Sequence, residues 1–314
     1  MGISVQATQL VELLRKNVES VIIGKSQVVK LLVASFVARG HVLIEDVPGV
    51  GKTALARALA RSIDCSFRRV QFTPDLLPSD ITGISIYDQN HREFVFTPGP
   101  VFANVVLADE INRTTPRIQS ALLEAMNERQ VTYDGKTYPL PDPFLVIATQ
   151  NPISYIGTYP LPESQLDRFL MRLTMGFPNA EEEHHILQSR RNGDPVDQLK
   201  PVLTVLESLQ LIRATSEIRI DESVSRYLVA IAQRTRAHTL LTAGISPRGT
   251  LHLAAASQGY AFVEGRDYVS PDDVKFVAPY VLAHRLELRP EVDRHNHPAA
   301  RIVADLLAEI PVPQ

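Results

Sequence analysis

Two short stretches concentrate the residue types that could do chemistry. The first is Pro48-Gly49-Val50-Gly51-Lys52-Thr53, set between the apolar run His41 to Ile44 and the helix-forming run Ala54 to Ile63. That is the strand–loop–helix setting a phosphate-binding loop requires. Gly49 and Gly51 can turn successive N–H groups inward as an anion nest, and the helix start adds partial positive charge. Lys52 would reach the β- and γ-phosphates of a nucleotide, and the Thr53 hydroxyl would ligate Mg²⁺. The second stretch is Val105-Val106-Leu107-Ala108-Asp109-Glu110, an apolar strand delivering two carboxylates at its C-terminal end. Ligands of open α/β sheets sit at that edge. Asp109 would hold Mg²⁺ opposite Thr53, and Glu110 would polarise an attacking water.

Further residues complete the set. The usual loop pattern begins with Gly, and Asp46 stands there instead. Asp tolerates left-handed backbone, but its carboxylate must point away from a triphosphate. The loop's nucleotide contacts are expected from Asp46, Val47, Pro48, Gly49, Val50, Gly51, Lys52, Thr53 and Ala54. Ala148-Thr149-Gln150-Asn151-Pro152 ends another apolar strand, which would lie between the other two and let Asn151 orient the same water. The alternative is a plain Asn-Pro turn. Arg168, before a further strand, and Arg248, at a helix start, are each either a surface charge or an arginine finger. Arg248 could reach the nucleotide of its own chain, and Arg168 that of a neighbour. His184, His185, His295 and His297 lack metal-ligand spacing and read as solvated surface.

These residues need a scaffold. Spacing predicts helices over 7–17, 25–39, 52–63 and 115–127, and strands over 41–45, 67–72, 104–108, 144–149 and 169–174. Strands separated by helices imply a parallel α/β sheet. Residues 81–97 read as a β excursion within a helical segment, and 130–138 as a hairpin about Asp134-Gly135. Beyond Phe177-Pro178-Asn179 the pattern turns helical, over 181–191, 202–214, 221–236, 247–263, 271–284 and 298–309. A domain boundary near 178 follows, dividing the chain into 1–178 and 179–314.

The 314 residues suffice for one large or two modest cores, and 45% hydrophobic with 21% charged content is ordinary for a globular protein. A net charge of −3 offers no overall basic footprint for nucleic acid. The single Cys65 forms no internal disulfide, and Glu12, Arg15 and Lys16 interrupt any signal-peptide core. Leu31–Ala38 is too short to span a bilayer. The expectation is a cytoplasmic protein without membrane insertion.

Taken together, the sequence resembles the AAA+ ATPases and, within them, the MoxR family. The resemblance spans nearly the whole chain. It rests on Glu45–Thr53, Gln71–Asp80, Ala108–Arg113, Ala148–Pro152, Leu166–Phe169 and Ser246-Pro247-Arg248. It implies an α/β fold: an AAA+ αβα P-loop sandwich with a parallel five-stranded sheet, followed by an α-helical lid. Segments 81–97 and 130–138 then correspond to the helix-two insert and the pre-sensor hairpin. Asn151 corresponds to sensor one, Arg168 to the trans-acting finger and Arg248 to sensor two. The Val21–Gly24 turn, with Ile22 and Ile23, would line the adenine pocket, and Gln71 would restrain Glu110 until a client binds. The implied activity is Mg²⁺-dependent ATP hydrolysis in a homo-oligomeric ring, commonly a hexamer. Such rings act as chaperone-like remodellers, often with von Willebrand factor A domain partners, in complex maturation or metal-cofactor insertion. A nucleotide-gated binding module with a vestigial ATPase is the alternative. A nucleic-acid motor is disfavoured, since the hairpin Gln130–Lys136 lacks clustered cations.

Overall fold

Strand Val42-Leu43-Ile44 is apolar at every position because both of its faces are covered. Val42 and Ile44 join one buried cluster, and Leu43 the other. The same period-two division holds for Val105 and Leu107 against Val106 and Ala108, and for Leu145 and Ile147 against Val146 and Ala148. Continuous apolar strands of this kind belong to parallel sheets sandwiched between helices. The computed structural model describes residues 5–152, 158–292 and 298–313.

The chain begins with α1 (Val5–Glu19), α2 (Ser26–Val37), β1 (Val42–Glu45), α3 (Lys52–Ser62), β2 (Phe67–Gln71) and α4 (Pro78–Thr82). It continues through β3 (Gly83–Asp88), β4 (Glu93–Pro98), β5 (Val105–Asp109), α5 (Pro116–Glu128), β6 (Gln130–Tyr133), β7 (Lys136–Pro139) and β8 (Leu145–Gln150). Then come α6 (Glu163–Leu166), β9 (Met171–Leu173), α7 (Ala180–Ser189), α8 (Pro195–Gln198), α9 (Val205–Ser216) and α10 (Glu222–Arg236). The last elements are β10 (Leu241–Ala243), α11 (Pro247–Val263), α12 (Pro271–Leu282), β11 (Glu287–Leu288) and α13 (Ala299–Glu309).

The sheet is five-stranded and parallel, in the order β2-β5-β8-β1-β9. The tip of β8 therefore lies between those of β5 and β1, as the strand-end amide requires. Two antiparallel hairpins, β3–β4 and β6–β7, stand outside the sheet. They meet through Phe96, which stacks on Tyr138 with ring centroids 4.1 Å apart.

Two expected spans shift. The fifth strand is shorter than 169–174, because Phe169 and Leu170 are occupied in a turn and in pairing with His41 before β9 starts. The helix expected over 202–214 begins at Val205, where Thr204 caps it with Glu207 in a reciprocal box. Short α8 was missed despite Asp194 capping Val196 and Pro195 at the first helical position. One apolar cluster runs from a face of the sheet through α1 and α2 into α9–α13. Among the described residues, no helix is long and apolar enough to cross a membrane.

Candidate nucleotide site

The loop between β1 and α3 gets its shape from Gly49 at φ 87° and Gly51 at φ 96°, angles that L side chains rarely adopt. A Cβ placed on Gly49 would meet no atom within 4 Å, and on Gly51 only Met175 Cε at 3.8 Å. Packing therefore does not demand these glycines, whereas the backbone angles do, and the space above them stays open for a ligand. Helix α3 carries no side-chain cap, so its first N–H groups remain free to bind an anion. These features fit a phosphate chain.

Asp46 solves its own problem by a route the sequence did not suggest. It does not take a left-handed angle. Its carboxylate accepts the backbone N–H groups of Val47 (2.8 Å), Met175 (2.8 Å) and Gly176 (2.7 Å). The acid thus ties the loop to the end of β9 and is absent from the walls of the phosphate cleft. Val47 is likewise off that wall, although its carbonyl accepts from Lys52.

That cleft, about 360 Å³, is bounded by Pro48, Gly49 and Gly51 to Ala54 on one side and by Asp109, Glu110 and Asn151 on another. Lys52 Nζ donates to the carbonyls of Asp46 (2.7 Å) and Val47 (2.8 Å). Burial lowers its pKa, opposed by the carboxylates of Asp46, Asp109 and Glu110. Asp109 accepts from Thr149 Oγ1 at 2.6 Å and from Arg69 Nη2 at 2.7 Å and Nε at 3.1 Å. Glu110, at φ 58°, accepts from Gln71 Nε2 at 2.8 Å and pairs with Arg113 at 3.2 Å. Its backbone N–H donates to Thr149 Oγ1 at 2.9 Å. Asn151 lines the cleft, and its carbonyl accepts from Asn112 Nδ2 at 3.4 Å.

Among the described residues, no group of three or more His, Cys, Asp and Glu could hold a metal. Mg²⁺ does not need one, since it keeps waters and takes substrate phosphate oxygens. Thr53 and Asp109 face one cleft, and a hydroxyl with a carboxylate is a donor pair of the kind Mg²⁺ takes.

A second, more apolar hollow of about 320 Å³ adjoins the first through Gly49, Gly51, Ala54 and Arg190. Val21, Ile22 and Ile23 of the α1–α2 turn line it with Val50 of the loop, and Pro178, Ile186 and Val196 line it from the segment after the sheet. Its size and character suit a base.

The two distal arginines lie elsewhere. Arg168 donates to the Leu123 carbonyl at 2.7 Å and borders a different cavity. Arg248 is absent from the walls of both nucleotide hollows, so the structure does not bring it to its own chain's cleft. The cause is where α11 starts: Ser246 donates to Asp167 at 3.3 Å, beside Arg168, and the Arg248 charge is felt at His252 and Arg285. His184 and His185 are exposed, while His295 and His297 lie outside the described residues. Sequence reasoning missed Arg69, Thr149 and Arg190. Thr149 was legible as the residue before Gln150-Asn151, but Arg69 and Arg190 carried no local signal.

The chain is similar to known ATPases. Residues 41–171 match the model of the ATPase family associated with various cellular activities (AAA), and 233–306 that of the AAA lid domain. YeaC of Bacillus subtilis (strain 168) is 50% identical over 95% of this chain and 93% of its own. Chaperone MoxR1 of Mycobacterium tuberculosis is 42% identical over 95% of this chain and 81% of its own. A crystal structure from Cytophaga hutchinsonii, of a protein described as a candidate ATPase, superposes with a TM-score of 0.92. It is 36% identical, and the match covers 99% of this chain and 97% of that one.

Proposed function

The chain belongs to the MoxR family of AAA+ ATPases, and from that footing we propose that it hydrolyses ATP with Mg²⁺ to remodel partner proteins. The observation that carries this reading is the convergence of Lys52, Thr53, Asp109, Glu110 and Asn151 on one cleft above a left-handed glycine loop. Lys52 leaves the loop carbonyls for the phosphates, and Thr53 and Asp109 hold Mg²⁺. Held there, Mg²⁺ would supply charge stabilisation to the transferred phosphoryl group. Asp109 must first part from Arg69, and Glu110 from Gln71 and Arg113. Glu110 then takes the proton of the attacking water, which Asn151 orients. Ile22 and Ile23 seat the adenine.

Neither Arg168 nor Arg248 lines this cleft, so we assign both to a neighbouring subunit's nucleotide in a homo-oligomeric ring, commonly a hexamer. The reading divides the chain near 178 into nucleotide and lid units and expects the cytoplasm as its compartment. The chaperone designation of the Mycobacterium relative supports protein clients. A von Willebrand factor A domain partner, and complex maturation or metal-cofactor insertion, are the finer form of the proposal. A second reading, a nucleotide-gated module with little turnover, is favoured by both carboxylates being tied up. Single-turnover hydrolysis slower than partner exchange would select it.

The direct test is Glu110→Gln. It should bind Mg·ATP as tightly as the parent while turnover falls roughly 10²–10⁴-fold, the range of a lost general base. An unchanged rate would remove Glu110 from the mechanism.

A further inference from the structure

Arginines in the left-handed region follow both α2 and α5: Arg39, two residues past Val37, at φ 56°, and Arg129, directly after Glu128, at φ 52°. Glycine is the residue that takes this position without strain. Both arginines border one cavity of about 230 Å³, together with Arg168, Asn127, His41 and His252. The cavity opens beside the starts of β1 and β9, at the sheet edge opposite the nucleotide cleft.

No carboxylate lines it. Asp142 pairs with Arg39 at 2.9 and 3.1 Å, which accounts for one of the three positive charges. Among the described residues, the Arg129 guanidinium makes one hydrogen bond, a 3.5 Å contact to the Arg39 carbonyl. Burial and then Arg39 lower its pKa, so the surroundings disfavour an uncompensated guanidinium. Arg168 spends Nη1 on the Leu123 carbonyl and leaves Nε buried without a partner. Burial pushes both His41 and His252 down to about 4, so neither adds charge at neutral pH. Helix C-termini attract cations, but an exposed arginine would serve them without strain or desolvation.

We propose that this cavity is an oxyanion site in which Arg129 joins Arg168 to grip a phosphoryl group. Two sources share that chemistry: free inorganic phosphate, and the nucleotide of an adjacent copy. The second rests on the trans-acting assignment of Arg168 given above, whereas the site itself does not.

Arg129→Gly suits the test, because glycine adopts φ 52° readily and the fold is expected to keep its stability. In the full chain carrying Lys52→Ala, inorganic phosphate should raise the unfolding midpoint, by linkage. Adding Arg129→Gly should abolish most of that rise, and Arg129→Lys should retain part of it. A rise untouched by Arg129→Gly overturns the site. In assembled rings of otherwise parental chain, Arg129→Gly should lower kcat about tenfold, with nucleotide affinity and KM unchanged. Mixing with Lys52→Ala subunits, which carry an intact Arg129, should restore part of the rate. Lost phosphate stabilisation with unchanged kcat assigns the site to free phosphate and refutes the neighbour as source. If Arg168→Ala rings, still assembled, recover nothing on the same mixing, the trans reading itself fails while the phosphate arm continues to report on the cavity.

Discussion

Glu110 occupies a left-handed angle at φ 58°, costly for a residue with a Cβ and found where a site over-determines its geometry. Here the over-determination is visible. Its N–H is held by Thr149, and its carboxylate by Gln71 and Arg113. Arg69 joins the two acids into one unit, gripping Asp109 twice and donating to Gln71 Oε1 at 2.9 Å. A guanidinium therefore stands on the carboxylate proposed above to hold Mg²⁺. Partly exposed ion pairs are worth up to about 1 kcal/mol, or roughly fivefold in an equilibrium. Arg69→Ala should accordingly lower the Mg²⁺ concentration at half-maximal nucleotide binding by about three- to fivefold. Titration with a fluorescent ADP analogue reads this directly, and an unchanged or raised Mg²⁺ midpoint would show that Arg69 does not compete with the ion.

At the scale of elements, two close approaches decide how the helices and hairpins sit. Helix α11 crosses α2 at Gly259, where an added Cβ would stand 2.3 Å from the Ala34 carbonyl oxygen. A backbone oxygen cannot swing aside, so the two helices would have to separate. Gly259→Ala should destabilise the fold by about 1–3 kcal/mol, the range of overpacking in a close-packed interior, with no direct effect on the cleft. Urea denaturation with an unchanged slope would record it, and a shift below about 0.5 kcal/mol would mean that α11 and α2 are free to part. The hairpin β3–β4 is anchored the opposite way. Its Phe96 packs among Phe102, Tyr133 and Tyr138, while Phe94, at the turn end of β4, is 71% exposed.

The whole molecule carries a belt of histidines, His41 and His284 buried and His252 half-buried, where the sheet edge meets α11 and the end of α12. His41 donates from Nε2 to the Met126 carbonyl and accepts the Val146 N–H at Nδ1. His284 contacts the Phe169 carbonyl, and His252 contacts Arg285. Burial holds His41 and His252 at about 4, and His284 well below its usual value. A depressed folded-state pKa means that the unfolded chain takes up the protons first. The associated stability is intact above about 6.5 and is lost as pH falls from there toward 4, by up to about 1.4 kcal/mol per pH unit per histidine. The urea midpoint should therefore drop between pH 7.5 and 5.5, a window above most carboxylate titration. A flat profile there would mean that the three histidines accept charge in place.

The sequence by itself determined the chemistry that is local in the chain. A glycine loop ending in Lys-Thr, an apolar strand ending in Asp-Glu and an amide after the next strand need only a few residues each to declare themselves. Parallel strands then force those ends to one edge, which is why Lys52, Thr53, Asp109, Glu110 and Asn151 were legible together. Only the tertiary structure decided what reaches them from afar. Asp46 is held by Met175 and Gly176, some 130 residues on. Arg69 meets Asp109 because β2 pairs with β5, and Arg248 follows the anchoring of α11 at Asp167. A guanidinium on a strand or helix start looks the same in any sequence. Its partner is set by which elements pack side by side, and that is a property of the folded chain.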